Sequence, residues 1–456
     1  MRSRLSLRLA LVGTALLAPL AGSHADDTEE LLNSMRDLNA VQSVYRAAVP
    51  HTDRNGNLLT RYDPERSFLQ IGVWGSPFGE IYGHNYDLSM LADAGFNTIW
   101  PWYGRGLAAE LEAAVQAGLQ VVHMGALDPA DAAAHRDHPS WLGNVWHDEP
   151  TGGFWGKDME GKFAEFLDYK QQINAAAPGR PVFINDVPWI TPPATSWWVK
   201  WNTGGDVACH DNYPILHRKA RTRTLGDSES VTGIPTSAAF AAAVNREEKP
   251  VWVIVGAFTV RGHGAFPFRF ATPQQLRGQV YAALTHGATG IIYFCWDTYV
   301  CRDGDVIGMS PDPQVAYLEP GPGKPKASPA RPMQLAESKA LWMAAEQINS
   351  ELRELTPSLL SPTVGDEVKY SLKIEGEAVS DAPVRCLLKP HPDGGYVLLT
   401  VNLDDAVLNV TYELEGGLTA VEPLFENRPA LELQEGTRSF QELYEPFDVH
   451  VYHING

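Results

Sequence analysis

The chain predicts an α/β fold: a (β/α)8 TIM barrel followed by a small antiparallel β-sandwich. Three observations carry that reading. Eight short apolar runs alternate with helix-forming stretches through most of the 456 residues, as parallel βα units do. No glycine-rich phosphate loop follows the first run, where "VWGSPFGE" stands in place of GxGxxG, and this disfavours an open doubly wound sheet. Beyond Pro362 the texture changes to short alternating strands separated by turns.

The elements follow in order. Residues 1–25 read as a secretory signal peptide: Arg2, Arg4 and Arg8 precede an apolar run from Leu9 to Leu20, and Ser23-His24-Ala25 offers a cleavage site. No later stretch approaches ~20 uninterrupted apolar residues, so no membrane insertion is expected after cleavage. The expected location is periplasmic or secreted. Residues 26–66 read as a helical lead-in and a turn.

Residues 67–361 hold the barrel. Its strands are expected at Phe68–Gly75, Asn97–Trp102, Leu119–Gly125, Asn144–Glu149, Pro181–Asp186, Asp206–Tyr213, Pro250–Phe258 and Thr289–Asp297. Helix signals lie between them. "GLAAELEAAVQAG" is rich in strong helix formers and ends on Gly118. "TPQQLRGQVYAALTHG" opens with Thr272 as N-cap, Pro273 at the first helical position and Gln275 at the capping-box position. A Pro- and Gly-rich stretch, Met309 to Met333, reads as a long loop before the eighth helix, and residues 362–456 form the sandwich.

Charge narrows the function. The formal net charge is −19, and signal cleavage would remove three arginines and no acid, leaving −22. So acidic a chain without a basic cluster repels phosphate backbones, which excludes nucleic acid as the expected partner. Four cysteines occur. Cys295 and Cys301 are close enough in sequence to close a short loop, the alternative being four separate buried thiols. None has zinc-site spacing, and no metal or cofactor is expected.

In such barrels the chemistry sits where strand C-termini meet the following loops. The strand ends therefore supply the candidate residues. Strand four ends in "WHDEP", which sets Asp148 and Glu149 side by side. A carboxyl enclosed by aromatic walls has its pKa raised by desolvation, as a general acid near neutral pH requires. Glu149 is the leading candidate acid, and Asp148 and Asp211 are the other candidate catalytic groups. Many of the 13 tryptophans fall at or just past strand ends. Flat aromatic faces beside a few polar groups suit sugar rings. Trp74, Trp102, Trp146 and Trp296 are accordingly candidates for substrate binding, with His147, Asp186, His210, Tyr213 and Asp297. Arg261 and His263, after strand seven, are further contacts to consider.

"HPSWLGNVWHDEP" resembles the fourth-strand segment of many (β/α)8 glycoside hydrolases, in which "DEP" carries the catalytic acid on its Glu. "QVYAALTHGATGIIYFCWD" and "YEPFDVHVYHI" are similar to the eighth-strand region and the closing β-sandwich of such enzymes. The resemblance implies glycosidic bond cleavage on a carbohydrate substrate, with Glu149 as the acid. One departure stands out. Retaining members of the largest clan place a nucleophilic Glu at the end of strand seven, yet no Asp or Glu occurs from Lys249 to Trp296. Three routes to a second group stay open: Asp211 from strand six, Asp297 from strand eight, or substrate assistance. In the last, Asp148 orients an N-acetyl group, as in the similar Asp-Glu pair of β-hexosaminidases, with Tyr213 as helper.

Two rival readings remain. A non-catalytic glycan-binding barrel fits the missing strand-seven acid. A metal-dependent amidohydrolase draws on His123, His147 and His210 at strand ends, although strand one lacks His-x-His. A Ser-His-Asp hydrolase is disfavoured because no G-x-S-x-G elbow occurs.

Overall fold

The computed structural model describes Tyr45–Arg46, Val49–Pro50 and residues 68–455, the latter without 77, 82–83, 102–105, 155, 189–193, 217–223, 228–231, 246–248, 262–267, 297–298, 302–303, 311–331, 362–369, 375, 379–382, 415–417 and 434–435. The expected signal peptide and most of the loop from Met309 to Met333 lie outside the described residues. Of the lead-in, only the antiparallel pair Tyr45–Arg46 and Val49–Pro50 is described.

Eight parallel strands close into a barrel in sequential order. They are β1 (Gln70–Trp74), β2 (Thr98–Trp100), β3 (Gln120–Met124), β4 (Trp141–Asp148), β5 (Val182–Asn185), β6 (Ala208–Asn212), β7 (Val251–Gly256) and β8 (Gly290–Phe294). Each is followed by a helix: α1 (Ser89–Asp93), α2 (Leu107–Gln116), α3 (Pro129–His135), α4 (Met159–Ala176), α5 (Ala194–Gly204), α6 (Ile234–Val244), α7 (Pro273–Leu284) and α8 (Pro332–Leu359). The expected barrel is the observed one. All eight strand positions agree, and β4 begins three residues earlier than its apolar texture suggests.

The local rules hold where they were clearest. Thr272 Oγ1 accepts the Gln275 N–H at 3.1 Å while Gln275 Oε1 accepts the Thr272 N–H at 3.1 Å. That reciprocal box starts α7 by satisfying two otherwise orphaned donors.

Strand alternation sorts side chains into two apolar layers. Trp100, Val122, Phe183, Cys209, Trp252 and Ile254 are among those filling the barrel interior. Their neighbours in sequence face the helices, where Ile71, Ile99, Val121, Ile184, Val253 and Ile291 join the larger core. The interior is thus a packed plug, and only its C-terminal end is free to hold a site.

The antiparallel strands after α8 form two sheets. One runs Glu377–Ala378, β9 (Tyr370–Ile374), β12 (Leu408–Leu414), β14 (Ser439–Tyr444). The other runs β10 (Val384–Pro390), β11 (Tyr396–Asn402), β15 (Val449–Asn455), β13 (Ala420–Leu424), Leu431–Glu432. Arg277 ties this part to the barrel: its guanidinium donates to Glu351 Oε2 at 2.9 Å and to the Val449 carbonyl at 2.6 Å. The Glu351 end of that link is held further, because Tyr281 Oη donates to the same Glu351 oxygen at 2.8 Å. Among the described residues, no helix is long and apolar enough to cross a membrane.

Candidate active site

The site begins with an irregularity in β4. Val145 pairs with Phe183, but the next pairing is Asp148 with Asn185, so three steps along β4 match two along β5. Such a bulge re-aims the side chains beyond it. Val145 faces the interior and Trp146 the helices. Strict alternation would turn His147 inward and Asp148 outward. The extra residue reverses this and brings Asp148 to the barrel axis beside Asn185.

Glu149 comes next, with φ 48° and ψ 54°. A left-handed backbone is uncommon for a side chain of this size and is held only where the surroundings enforce it. Three contacts do so. Pro150 disfavours a right-handed helical residue before it. The Glu149 N–H donates to the Asn185 carbonyl at 2.8 Å, and the Glu149 carbonyl accepts from the Gly153 N–H at 2.8 Å. Asp186 anchors the turn that follows: its fully buried carboxylate accepts from Thr151 Oγ1 at 2.5 Å and from the Thr151 N–H at 3.2 Å.

The result is a cluster of carboxyls at the barrel mouth. Asn185 Nδ2 donates one hydrogen to Asp148 Oδ1 and one to Asp211 Oδ1, both at 2.9 Å. Glu149 and Asp211 share a hydrogen bond. Exposure grades across the three: Glu149 is open to the cleft, Asp148 is half-buried and Asp211 is 3 % exposed.

Their protonation follows from crowding. Although its side chain is open to solvent, the protein packed around the Glu149 carboxyl, then the charges of Asp211, Asp148 and Asp186, push it up to about 10. Burial and the Asp211 charge push Asp148 up to about 7, against a smaller downward pull from the Asn185 donor. Asp211 rises to about 6 through burial, opposed first by the Asn185 hydrogen bond. Like charges this close cannot all ionise. At neutral pH the proton belongs on Glu149, which donates it to the ionised Asp211.

The other expected site residues divide by the face they occupy. Tyr213 stands half-buried at the mouth, its ring centroid 5.0 Å from Phe258, 5.6 Å from Phe294 and 5.7 Å from Phe268. Trp74 points inward, but its ring is 2 % exposed and stacks on Trp100 at 5.1 Å, so it supports the floor and presents no free face. His147 turns away from the axis: its Nδ1 meets the Asp148 carbonyl at 2.6 Å, and its ring packs on Phe154 at 4.4 Å, beside Trp146 on the helix side.

Further expectations need correction, and the buried Asp186 carboxylate, bound to Thr151, belongs to the turn and presents no binding group. Trp146 faces outward and stacks on Trp201 at 6.1 Å beside Phe166 at 5.4 Å, since it precedes the bulge. His210 also faces the helices, where Nε2 meets Ser237 Oγ at 3.0 Å, and burial lowers its pKa to about 3. Trp296 packs between Tyr86 at 5.9 Å and Trp342 at 6.5 Å, outside the barrel axis. The expected binding residues Trp102 and Asp297, His263, and the side chains of Arg261 and Cys301 lie outside the described residues.

The histidines that suggested a metal do not converge. His123 turns to α2 and pairs with Glu110 at 2.6 Å, and His210 turns to α6. Among the described residues, no group of three or more His, Cys, Asp or Glu is placed to hold a metal ion. What sequence reasoning missed is the support beneath the acids. Asn185 stands at the end of strand five, but nothing in the sequence signals that it bridges two carboxylates.

No family model matches the chain, and no curated protein matches it. Solved structures similar to it include a family 39 glycoside hydrolase from Bacteroides cellulosilyticus, at 10% identity over 85% of this chain and 81% of that one, TM-score 0.48. An Anoxybacillus α-amylase is similar at 11% identity over 84% of this chain and 96% of that one, TM-score 0.48. The class that the coordinates themselves define is a (β/α)8 barrel with a C-terminal antiparallel sandwich and a carboxyl cluster at the barrel mouth.

Proposed function

We propose that this protein is an exported glycoside hydrolase with Glu149 as its general acid. The observation that carries the reading is the hydrogen bond between the Glu149 and Asp211 carboxyls at the mouth of the barrel. Glycoside cleavage needs a carboxyl that is still protonated near neutral pH and open to the leaving oxygen. Glu149 meets both needs. Its proton passes to the glycosidic oxygen as the bond from that oxygen to the anomeric carbon breaks.

The second group is the finer question. Asp211 is buried beneath Glu149 and already bound to it. That contact is closer than the roughly 5–5.5 Å between carboxyls of retaining enzymes or the roughly 6.5–9.5 Å of inverting ones. For Asp211 to attack a sugar, the pair would first have to part. Asp148 needs no such movement, because it is half-buried at the cleft and held by Asn185. We therefore assign Asp211 the upkeep of the Glu149 proton and Asp148 the orientation of a substrate that supplies its own nucleophile. A 2-acetamido sugar is that kind of substrate. Export rests on the signal peptide read from residues 1–25.

The test is a glycan panel pairing 2-acetamido sugars with their 2-hydroxy counterparts, with product anomers followed by NMR. The expected result is hydrolysis with retention on the acetamido members only, and a loss of ~10²-fold or more in Glu149→Gln with folding unchanged. Hydrolysis of both series would return the second role to Asp211. Binding without hydrolysis, equal in both proteins, would overturn the enzyme reading in favour of a glycan-binding barrel.

A further inference from the structure

The amide of Asn185 lies beneath the carboxyl cluster and bridges two of its three members. It is 2 % exposed, at the end of β5, with both side-chain polar atoms engaged. The two Nδ2 hydrogens go to Asp148 and Asp211 at 2.9 Å each. Oδ1 lies 3.7 Å from Cys209 Sγ, within reach of the thiol proton. Cys209 is wholly buried in the barrel interior, one inward-facing position below Asp211 on β6.

This arrangement has one orientation. Turned over, the amide would aim its oxygen at two carboxylates and its hydrogens at a thiol, replacing charge-assisted bonds with repulsion. The thiol gives the buried amide oxygen a partner, and an unpartnered buried oxygen is costly. Cys209 is also kept protonated: burial and the charges of Asp211 and Asp148 push its pKa up. A thiolate would reverse the direction of the bond.

We propose that Asn185, oriented by the Cys209 thiol, is a positioning residue that decides which of the three carboxyls carries the proton. By donating to Asp148 and Asp211 and not to Glu149, it favours the ionised form of the first two. Glu149, lacking that donor and facing both charges, retains the proton. The role deepens the hydrolase reading and rests on it, but the bias in proton affinity belongs to the folded protein with or without substrate.

Asn185→Leu removes both donors at similar volume. Two readouts follow. In the pH–rate profile, the acid-side limb, where the carboxylates must ionise, moves upward by about one pH unit, which is a tenfold change in proton affinity. In thermal unfolding across pH, the loss of stability attached to ionising these carboxyls moves to higher pH by a similar amount. A merely structural role would lower the melting temperature equally at all pH and leave both profiles unmoved, and that result would overturn the proposal. Cys209→Ala serves if Asn185→Leu does not fold: freeing the amide oxygen should shift the same limbs in the same direction, and Cys209→Ser should restore them. If the wild type hydrolyses no glycan, the hydrolase reading fails, while the unfolding series still decides the role of Asn185.

Discussion

Strands β4 and β7 end on the same face of the barrel and carry opposite chemistry. At the end of β4, a bulge and a left-handed residue bring two carboxyls toward the axis. At the end of β7 stands Gly256, with no side chain at all. Its place is filled: a Cβ added there would lie 3.2 Å from Tyr213 Cδ1 and 3.5 Å from Phe258 Cε1. Gln279 holds the bare backbone, with Oε1 accepting the Gly256 N–H and Nε2 donating to the Gly256 carbonyl, both at 3.3 Å. The missing strand-seven acid is therefore a packed aromatic wall. The carboxyls Asp148, Glu149 and Asp211 thus come from β4 and β6, while Tyr213 covers the end of β7.

Breaking that contrast gives the largest expected effect. Gly256→Glu would restore an acid to β7, but the ring of Tyr213 has to move to admit it. Overpacking of this kind typically costs about 1–3 kcal/mol, and burying a carboxyl against aromatic rings adds to it. The expected outcome is a lower melting temperature and weaker glycan hydrolysis. A gain in hydrolysis, read on the same panel, would show that the wall is dispensable and that β7 can host a nucleophile.

The charge carried by β4 and β6 gives the next expected effect. Asp148 and Asp211 are raised from 3.8 to about 7 and about 6. Between about pH 4 and pH 7 the folded protein therefore holds more protons than the unfolded chain, and this part of its stability falls as pH rises. Asp211→Asn removes one of the competing charges. Its melting temperature relative to wild type should stay level near pH 4 and climb toward pH 7. A difference that does not vary with pH would mean that the cluster ionises freely.

How far the sequence could lead to this contrast depends on the kind of signal. The absence of any acid in "PVWVIVGAF" is plain in the sequence, and so is the Asp148-Glu149 pair. The barrel strands are legible too, because burial on both faces forces long apolar runs. Direction is not. Period-two alternation assigns a face only when the register is regular, and the bulge after Val145 alters it within three residues of the acids. Trp146 and His210 sit at the right height on the barrel and on the wrong side of it. Asn185 and Cys209 escape for another reason: an amide and a thiol carry no motif, and their roles exist only because β5 and β6 are neighbours.

The smallest expected effect tests this assignment of faces. Trp146 lies two residues before Asp148 yet packs against Trp201, Phe166 and Tyr169. If that is its whole contribution, Trp146→Phe should lower stability by about 1 kcal/mol through lost apolar contact. The Michaelis constant for any hydrolysed glycan should remain at its wild-type value, because the ring is on the far side of β4 from the cleft. Tyr213→Phe is the matching change on the inner side. It keeps the ring against Gly256 and removes only the hydroxyl, so it should spare stability and raise the Michaelis constant if that hydroxyl meets the sugar. The reverse pattern, with Trp146 governing substrate affinity, would place the cleft on the outer face of β4 and undo the comparison between the two strands.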